Sequence, residues 1–150
     1  LDTNSAALVE SMSRKLAEVK ELNDEIKSRR SAAARGRASD FLGQSKNGIV
    51  VQRVDDLSPG DLRELAIAIR AHKEIKAVVL GGVTTTGGVA LVAATGSGVT
   101  TPAGELISQA AKMVGGGGGG KGDIATAGGK NASALDEALL VAAQASSKIV

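Results

Sequence analysis

The stretch Met113-Val114-Gly115-Gly116-Gly117-Gly118-Gly119-Gly120-Lys121-Gly122-Asp123-Ile124-Ala125-Thr126-Ala127-Gly128-Gly129 joins a helical pattern to an extended one. Upstream, Thr101-Pro102 opens a helix whose apolar face is Leu106, Ile107, Ala110, Ala111 and Val114. Downstream, Asp123–Ala127 reads as a short strand and Gly128-Gly129 as a turn. Ser133 then caps a closing helix over Leu135–Ile149. Two readings of the glycine run compete. One is a flexible linker. The other is an anion-binding loop, because consecutive glycines expose backbone N–H groups and tolerate positive φ. The run sits between a helix and a strand of one domain and carries Lys121, with Lys130 close behind, which favours the phosphate reading. It is not a P-loop. The spacing from Gly115 to Gly120-Lys121 fits, but Gly122 stands where the magnesium-binding Ser or Thr belongs, and no strand precedes it.

Moving outward, Ile49–Val54 is a β-branched run behind Asn47-Gly48, a strand. Ser58-Pro59-Gly60-Asp61 starts a helix that Leu62, Leu65, Ala66 and Ile69 carry to about His72. Ala77–Leu80 is a second strand, Gly81–Thr86 a turn, and Gly88–Ala94 a third strand forming a hairpin with the second. Residues 4 to about 34 form one helix, with Asp2, Thr3, Asn4 and Ser5 as cap candidates and Leu8, Met12, Leu16, Val19, Leu22 and Ile26 at steps of three and four. Gly36 and Ser39-Asp40 are expected to break it. That narrow stripe is either a coiled-coil seam or a helix lying back on its own domain. The expected fold is α/β: a small mixed-sheet globular domain at 45–150 behind an N-terminal helical arm at 1–40.

Composition limits the chemistry. The 150 residues suffice for one core, and the chain begins at Leu1, as an excised fragment of a larger parent would. There is no cysteine, so disulfides, thiol catalysis and cysteine-based zinc sites are excluded. A cytoplasmic setting is expected. No apolar run reaches membrane-span length and no signal-peptide core is present, so no membrane partner is expected. Phe41 is the one aromatic residue, which removes base stacking on aromatic side chains and leaves phosphate, sugar and shape as means of holding nucleic acid. The net charge of +2 is modest, but Lys27, Arg29, Arg30, Arg35 and Arg37 follow one another without an intervening acid. They are either a solvated helix end or a phosphate contact. His72, the single histidine, fits a helix C-terminus better than a metal site or a catalytic one. Asp55-Asp56 reads as a polar strand end, and Gly96-Ser97-Gly98 lacks the pattern of a nucleophile elbow. No catalytic constellation emerges.

The segments Ala103-Gly104-Glu105-Leu106-Ile107, Met113 through Ala125 and Ala127-Gly128-Gly129 resemble the C-terminal, DHH-associated domain of alanyl-tRNA synthetases, called C-Ala. The resemblance covers most of residues 48–150, and the arm fits the family's linking helix. Gly122 replaces the family's usual proline and Thr126 a common glutamine. The resemblance implies a non-catalytic domain that binds the outer corner, or elbow, of alanine-specific tRNA and helps the aminoacylation and editing domains cooperate. It also implies a possible homodimer through the N-terminal helix. ATP, magnesium and zinc would then be used only by domains outside these residues, so no cofactor is expected here. The candidate nucleic-acid contacts are Lys112, Gly116, Gly117, Gly118, Gly119, Gly120, Lys121, Gly128, Gly129, Lys130, Arg35 and Arg37. The alternatives are the associated domain of a DHH-type phosphoesterase, whose catalytic motif would lie upstream, and a purely structural dimerisation module.

Overall fold

The computed structural model describes residues 2–120 and 122–149. Its elements are α1 (Asp2–Leu42), β1 (Ile49–Arg53), α2 (Pro59–Arg70), β2 (Ala77–Val83), β3 (Val89–Thr95), α3 (Ala103–Met113), β4 (Gly117–Gly119), β5 (Ile124–Gly129) and α4 (Leu135–Ser147). A single 3-10 turn, Ala132–Ala134, leads into α4. The sheet order is β1-β2-β3-β5-β4, with β1 and β2 parallel and every other pair antiparallel. This is the expected α/β mixed sheet.

The strand pattern explains the layering. β2 and β3 are apolar at nearly every position, so both sheet faces must be covered. On one face Val79, Leu91 and Ala93 pack with Leu106, Ile107 and Ala110 of α3 and Leu135, Ala138 and Ala142 of α4. On the other, Val78, Leu80, Ala90 and Val92 pack with Leu62, Leu65, Ala66 and Ile69 of α2. Helix α2 begins where the sequence places it: Pro59 is in its first turn, and Ser58 Oγ accepts the Asp61 N–H at 3.1 Å. At the far ends of β1 and β2, the Asp55 carboxylate accepts the Val83 N–H at 2.9 Å and the Arg53 Nε–H at 3.0 Å. Arg53 Nη1 also donates to Asp136 of α4 at 2.8 Å. The Val83 N–H first, and Arg53 second, hold the Asp55 carboxyl below its ordinary range.

Several local expectations change. Helix α1 runs through Gly36 to Leu42, because Ala34 and Ala38 on either side of that glycine are buried against α2. Ser31 Oγ donates to Glu64 at 2.9 Å and Arg30 pairs with Asp61 at 3.0 Å, fixing the same crossing. The helix already includes Asp2, so Asn4 and Ser5 lie within its first turn rather than capping it. The stripe does not lie back on its own domain. Leu8, Met12, Leu16, Val19, Leu22 and Ile26 are between 46% and 68% exposed. Gly81 and Gly82 belong to β2, and the turn is confined to Thr84–Gly88, where the Thr84 N–H donates to the Gly88 carbonyl at 2.7 Å. A Cβ at Gly81 would stand 2.7 Å from Leu91 and about 3 Å from Leu135 and Leu139, so glycine there lets α4 close on the sheet. Gly128 and Gly129 are strand residues of β5, not a turn. Ser133 lies inside the 3-10 turn, its Oγ on Asn131 Oδ1, and does not cap α4.

These contacts generate two expected outcomes. Gly36 is exposed, and a methyl group added there would have nothing within 4 Å, so Gly36→Ala should stabilise the protein by about 0.5–1 kcal/mol in urea unfolding. Asp55 has a folded pKa below its unfolded value of about 3.9, so its contribution is present above that pH and is lost as pH falls through the folded value. The stability gap between wild type and Asp55→Asn should therefore be widest above about pH 5 and shrink in acid; a gap constant from pH 7 to pH 2 would contradict it.

Candidate nucleic-acid interface

The glycine run is not a loop. It ends α3, crosses to the sheet and forms the edge strand β4 on β5, with Gly117 opposite Gly128, Gly118 opposite Ala127 and Gly119 opposite Thr126. Its first residue stops the helix. Gly115 adopts φ +69 and donates its N–H to the Lys112 carbonyl, and the Gly116 N–H donates to the Ala111 carbonyl. That pairing is a Schellman motif, which requires a left-handed residue after the C-cap.

The remaining glycines fall into two alternating classes. A Cβ at Gly116, Gly118 or Gly120 would run into the backbone of β5, at the Gly128 carbonyl, at Thr126-Ala127 and at the Ile124 carbonyl respectively. These glycines are demanded by packing. Gly117 and Gly119 have nothing within 4 Å of such an atom, neither has positive φ, and both are exposed. Gly128, opposite Gly117, is also exposed and has only ordinary van der Waals room to its nearest neighbour. The fold does not require glycine at these positions. Glycine lowers strand stability relative to alanine, so its presence there leaves a bare sheet surface at a cost in stability.

That surface is a floor on the α2 side of the sheet. The register places Gly117, Gly119, Thr126 and Gly128 on the same face as Ala90 and Val92 of β3, which α2 covers. Helix α2 lies over β2 and β3 and leaves Thr126 and Gly128 open. Thr126 supplies the one side chain longer than hydrogen among these four residues. Arg63, Ile67 and Arg70 lie along one stripe of α2 beside its buried face, at spacings of four and three. Arg70 reaches the start of β5: its Nη1 donates to Asp123 Oδ2 at 2.6 Å, to the Asp123 carbonyl at 3.2 Å and to the Thr95 carbonyl at 3.3 Å. The hydrogen bond from Arg70, and then its charge, hold the Asp123 carboxyl below the usual carboxylate range. At the other end of β5, the Lys130 and Asn131 N–H groups both donate to the Val114 carbonyl, which ties exposed Lys130 to the end of α3 where Lys112 is exposed.

The candidate residues are thus partly gathered. Gly116, Gly117, Gly118, Gly119, Gly120, Gly128 and Gly129 form one two-stranded edge, with Lys130 and Lys112 at one end. Lys121 lies outside the described residues. Arg35 and Arg37 point to opposite flanks of α1. Arg35 borders a hollow with Ile67, Ala71 and His72, whereas Arg37 lies with Leu57, Asp61 and Leu65. Arg29 and Arg30 are paired with Glu25 and Asp61, so the run of cations in α1 is not one patch. Arg63 and Arg70 escaped sequence reasoning, although their spacing with Ile67 marks the shoulder of an amphipathic helix. Among the described residues no group of three or more His, Cys, Asp or Glu side chains is placed to hold a metal ion, and no helix is long and apolar enough to cross a membrane.

Residues 46–148 match the DHHA1 domain family. The chain belongs to it. Over 134 residues, 84% of this chain, it is 38% identical to an alanine–tRNA ligase of Chlorobaculum tepidum, and it spans 15% of that ligase's length. Its fold matches the C-Ala domain of alanyl-tRNA synthetase from Aquifex aeolicus with a TM-score of 0.60 at 24% identity, over 67% of this chain and 95% of that one. It also matches part of RecJ from Thermus thermophilus, a structure in complex with Mg2+, with a TM-score of 0.56 at 17% identity, over 80% of this chain and 18% of RecJ. The same fold therefore occurs in an alanyl-tRNA synthetase and in RecJ. Gly122 adopts φ +94, a conformation closed to proline.

The two glycine classes predict opposite responses. Gly118→Ala should destabilise the domain by roughly 1–3 kcal/mol, because strand β4 must move off β5, while Gly117→Ala should leave the urea midpoint unchanged or raise it. Equal losses at both positions would contradict the assignment.

Proposed function

We propose that this domain binds tRNA, as the non-catalytic C-terminal part of an alanine–tRNA ligase working in the cytoplasm. The observation that carries the reading is the bare floor of Gly117, Gly119 and Gly128, kept free of side chains where the packing would accept them. Exposed peptide planes let a ligand's backbone approach closely, and exposed Lys130 at the end of β5, with exposed Arg63 of α2 on the same side of the sheet, supplies positive charge. With Phe41, in the last turn of α1, half-buried against the α2-side core, no aromatic side chain takes part. Such a surface suits a folded RNA read by shape, phosphate and 2′-hydroxyl rather than a single strand read by stacking. The elbow of tRNA, where the D- and T-loops meet, is a compact folded surface of that kind. The similarity to an alanine–tRNA ligase supports the choice of partner. ATP, magnesium and zinc would serve other domains of such a ligase.

The exposed stripe from Leu8 to Ile26 supports a further role in self-association, because an apolar seam in water is stabilised by a second helix. The fold match to RecJ supports the alternative of a domain associated with a DHH-type phosphoesterase, and exposed α1 alone would serve a purely structural dimerisation module.

The residue 1–150 protein should bind alanine-specific tRNA at low ionic strength with a negative salt slope, and more tightly than it binds a linear acceptor hairpin lacking the elbow. Lys130→Glu should weaken binding and reduce the salt slope by about one. Equal affinity for tRNA and hairpin would remove the elbow, and no salt-sensitive binding would remove the RNA reading. In sedimentation, Leu16→Glu with Leu22→Glu should convert any dimer to monomer; a dimer that survives would not be held by this seam.

A further inference from the structure

We infer that Arg70 and Asp123 form a positioning clamp that orders the β4–β5 hairpin for RNA, a role that rests on the proposed tRNA reading.

The hairpin is poorly supplied with anchors of its own. β4 is three glycines, with no side chain to pack, and it is paired along one edge only. Glycine pays the largest backbone entropy on ordering, so an all-glycine edge strand frays unless its ends are held. One end is held by the Schellman turn at Gly115. The other is the turn between β4 and β5, and three contacts converge there. The Ala103 N–H at the start of α3 donates to the Gly122 carbonyl at 3.0 Å. The Thr95 N–H at the end of β3 donates to the Asp123 carbonyl at 2.9 Å. Arg70 supplies the third, and it is the one made by side chains: a single guanidinium nitrogen reaches the Asp123 carboxylate, the Asp123 carbonyl and the Thr95 carbonyl. Arg70 thus bridges α2, β3 and β5 at the corner where the glycine strand must turn back.

The charges identify the role. Arg70 is 21% exposed and its cation is matched by Asp123, so the pair adds no net charge to the RNA-facing edge. If Asp123 acted through charge alone, it would repel a polyanion, and removing it would tighten binding. If it acts by holding the turn, removing it loosens the hairpin and weakens binding, since a disordered binding strand must be ordered when the ligand arrives. The two mechanisms predict opposite signs.

The test uses the whole residue 1–150 protein with the substitutions Asp123→Ala, Asp123→Asn and Arg70→Ala. Without RNA, amide hydrogen exchange of Gly117–Gly119 should speed up in all three, least in Asp123→Asn, which keeps an acceptor. Protected amides of β2 and β3 serve as the control for folding. With tRNA, all three should bind more weakly than wild type, by about three- to tenfold for the alanine variants. The salt slope should be that of wild type, because neither residue contacts phosphate. Tighter binding by Asp123→Ala and Asp123→Asn, unchanged exchange in β4, or a slope reduced by about one in Arg70→Ala would each overturn the clamp. If the wild-type protein fails to bind tRNA, the RNA reading falls by itself, and the exchange rates still decide whether the pair orders the hairpin.

Discussion

Strand β3 is hydrogen-bonded on both edges and buried on both faces, and helices α2 and α3 are placed by that fact. Val89–Thr95 pairs with β2 on one side and β5 on the other, and each of its seven residues is buried. A strand with no solvent face needs a layer above and a layer below. Helix α3 supplies one and α2 supplies the other, while α4 extends the α3 layer over β1 and β2. The covering side chains are Ala, Val, Leu and Ile, with no large aromatic to prop the layers apart. The helices therefore come close, and Gly81 marks how close, since its hydrogen faces Leu135 and Leu139 where any side chain would collide. Close packing of small residues leaves little tolerance for added volume.

The same constraint, transferred to the sheet edge, creates the candidate site. β4 approaches β5 so tightly that Gly116, Gly118 and Gly120 are fixed by backbone contact. In a strand the intervening residues point the other way, and there Gly117 and Gly119 are free of contact. One run of glycine therefore does three different things: it ends a helix, it permits close approach, and it leaves a face bare. The first two are properties of the fold. The third has a stability cost without a structural return, which is why it points to a ligand.

Sequence patterning makes most of this architecture legible. β-branched runs locate β1, β2 and β3, Ser58-Pro59 locates the start of α2, and apolar spacing locates α3 and α4. What it misses has a common cause. Glycine has no side chain, so it carries no periodicity, and its low intrinsic preference for strands argues against the state it adopts here. β4, the end of β2 at Gly81-Gly82, and the Gly128-Gly129 end of β5 all escape for that reason. Gly36 misleads in the same direction: burial of Ala34 and Ala38 against α2 outweighs about 1 kcal/mol of helix propensity. Of the candidate site, the glycines stand out as a group, but their pattern reads as a loop. Arg63 and Arg70 do not stand out, because the significance of a cation on a helix shoulder depends on which strand that shoulder overlooks, and that is decided by the sheet order.

The weak charge of the domain bears on how it would hold an RNA. A net charge of +2 is small for a protein relying on phosphates, and several of its cations are already spent: Arg29 on Glu25, Arg30 on Asp61, Arg53 on Asp55 and Asp136, and Arg70 on Asp123. Counterion release from the few cations beside the bare floor gives a shallow salt dependence and modest non-specific affinity. On the RNA reading, selectivity must then come from fit against the bare floor rather than from charge. A floor made of peptide planes gains affinity only if it is already flat and ordered when the RNA arrives, because glycine ordered on binding returns its entropy cost in full. Rigid anchoring of β4 is therefore not an accessory to such a site. For an interface with so little charge and no aromatic residue, it is the main source of binding strength available.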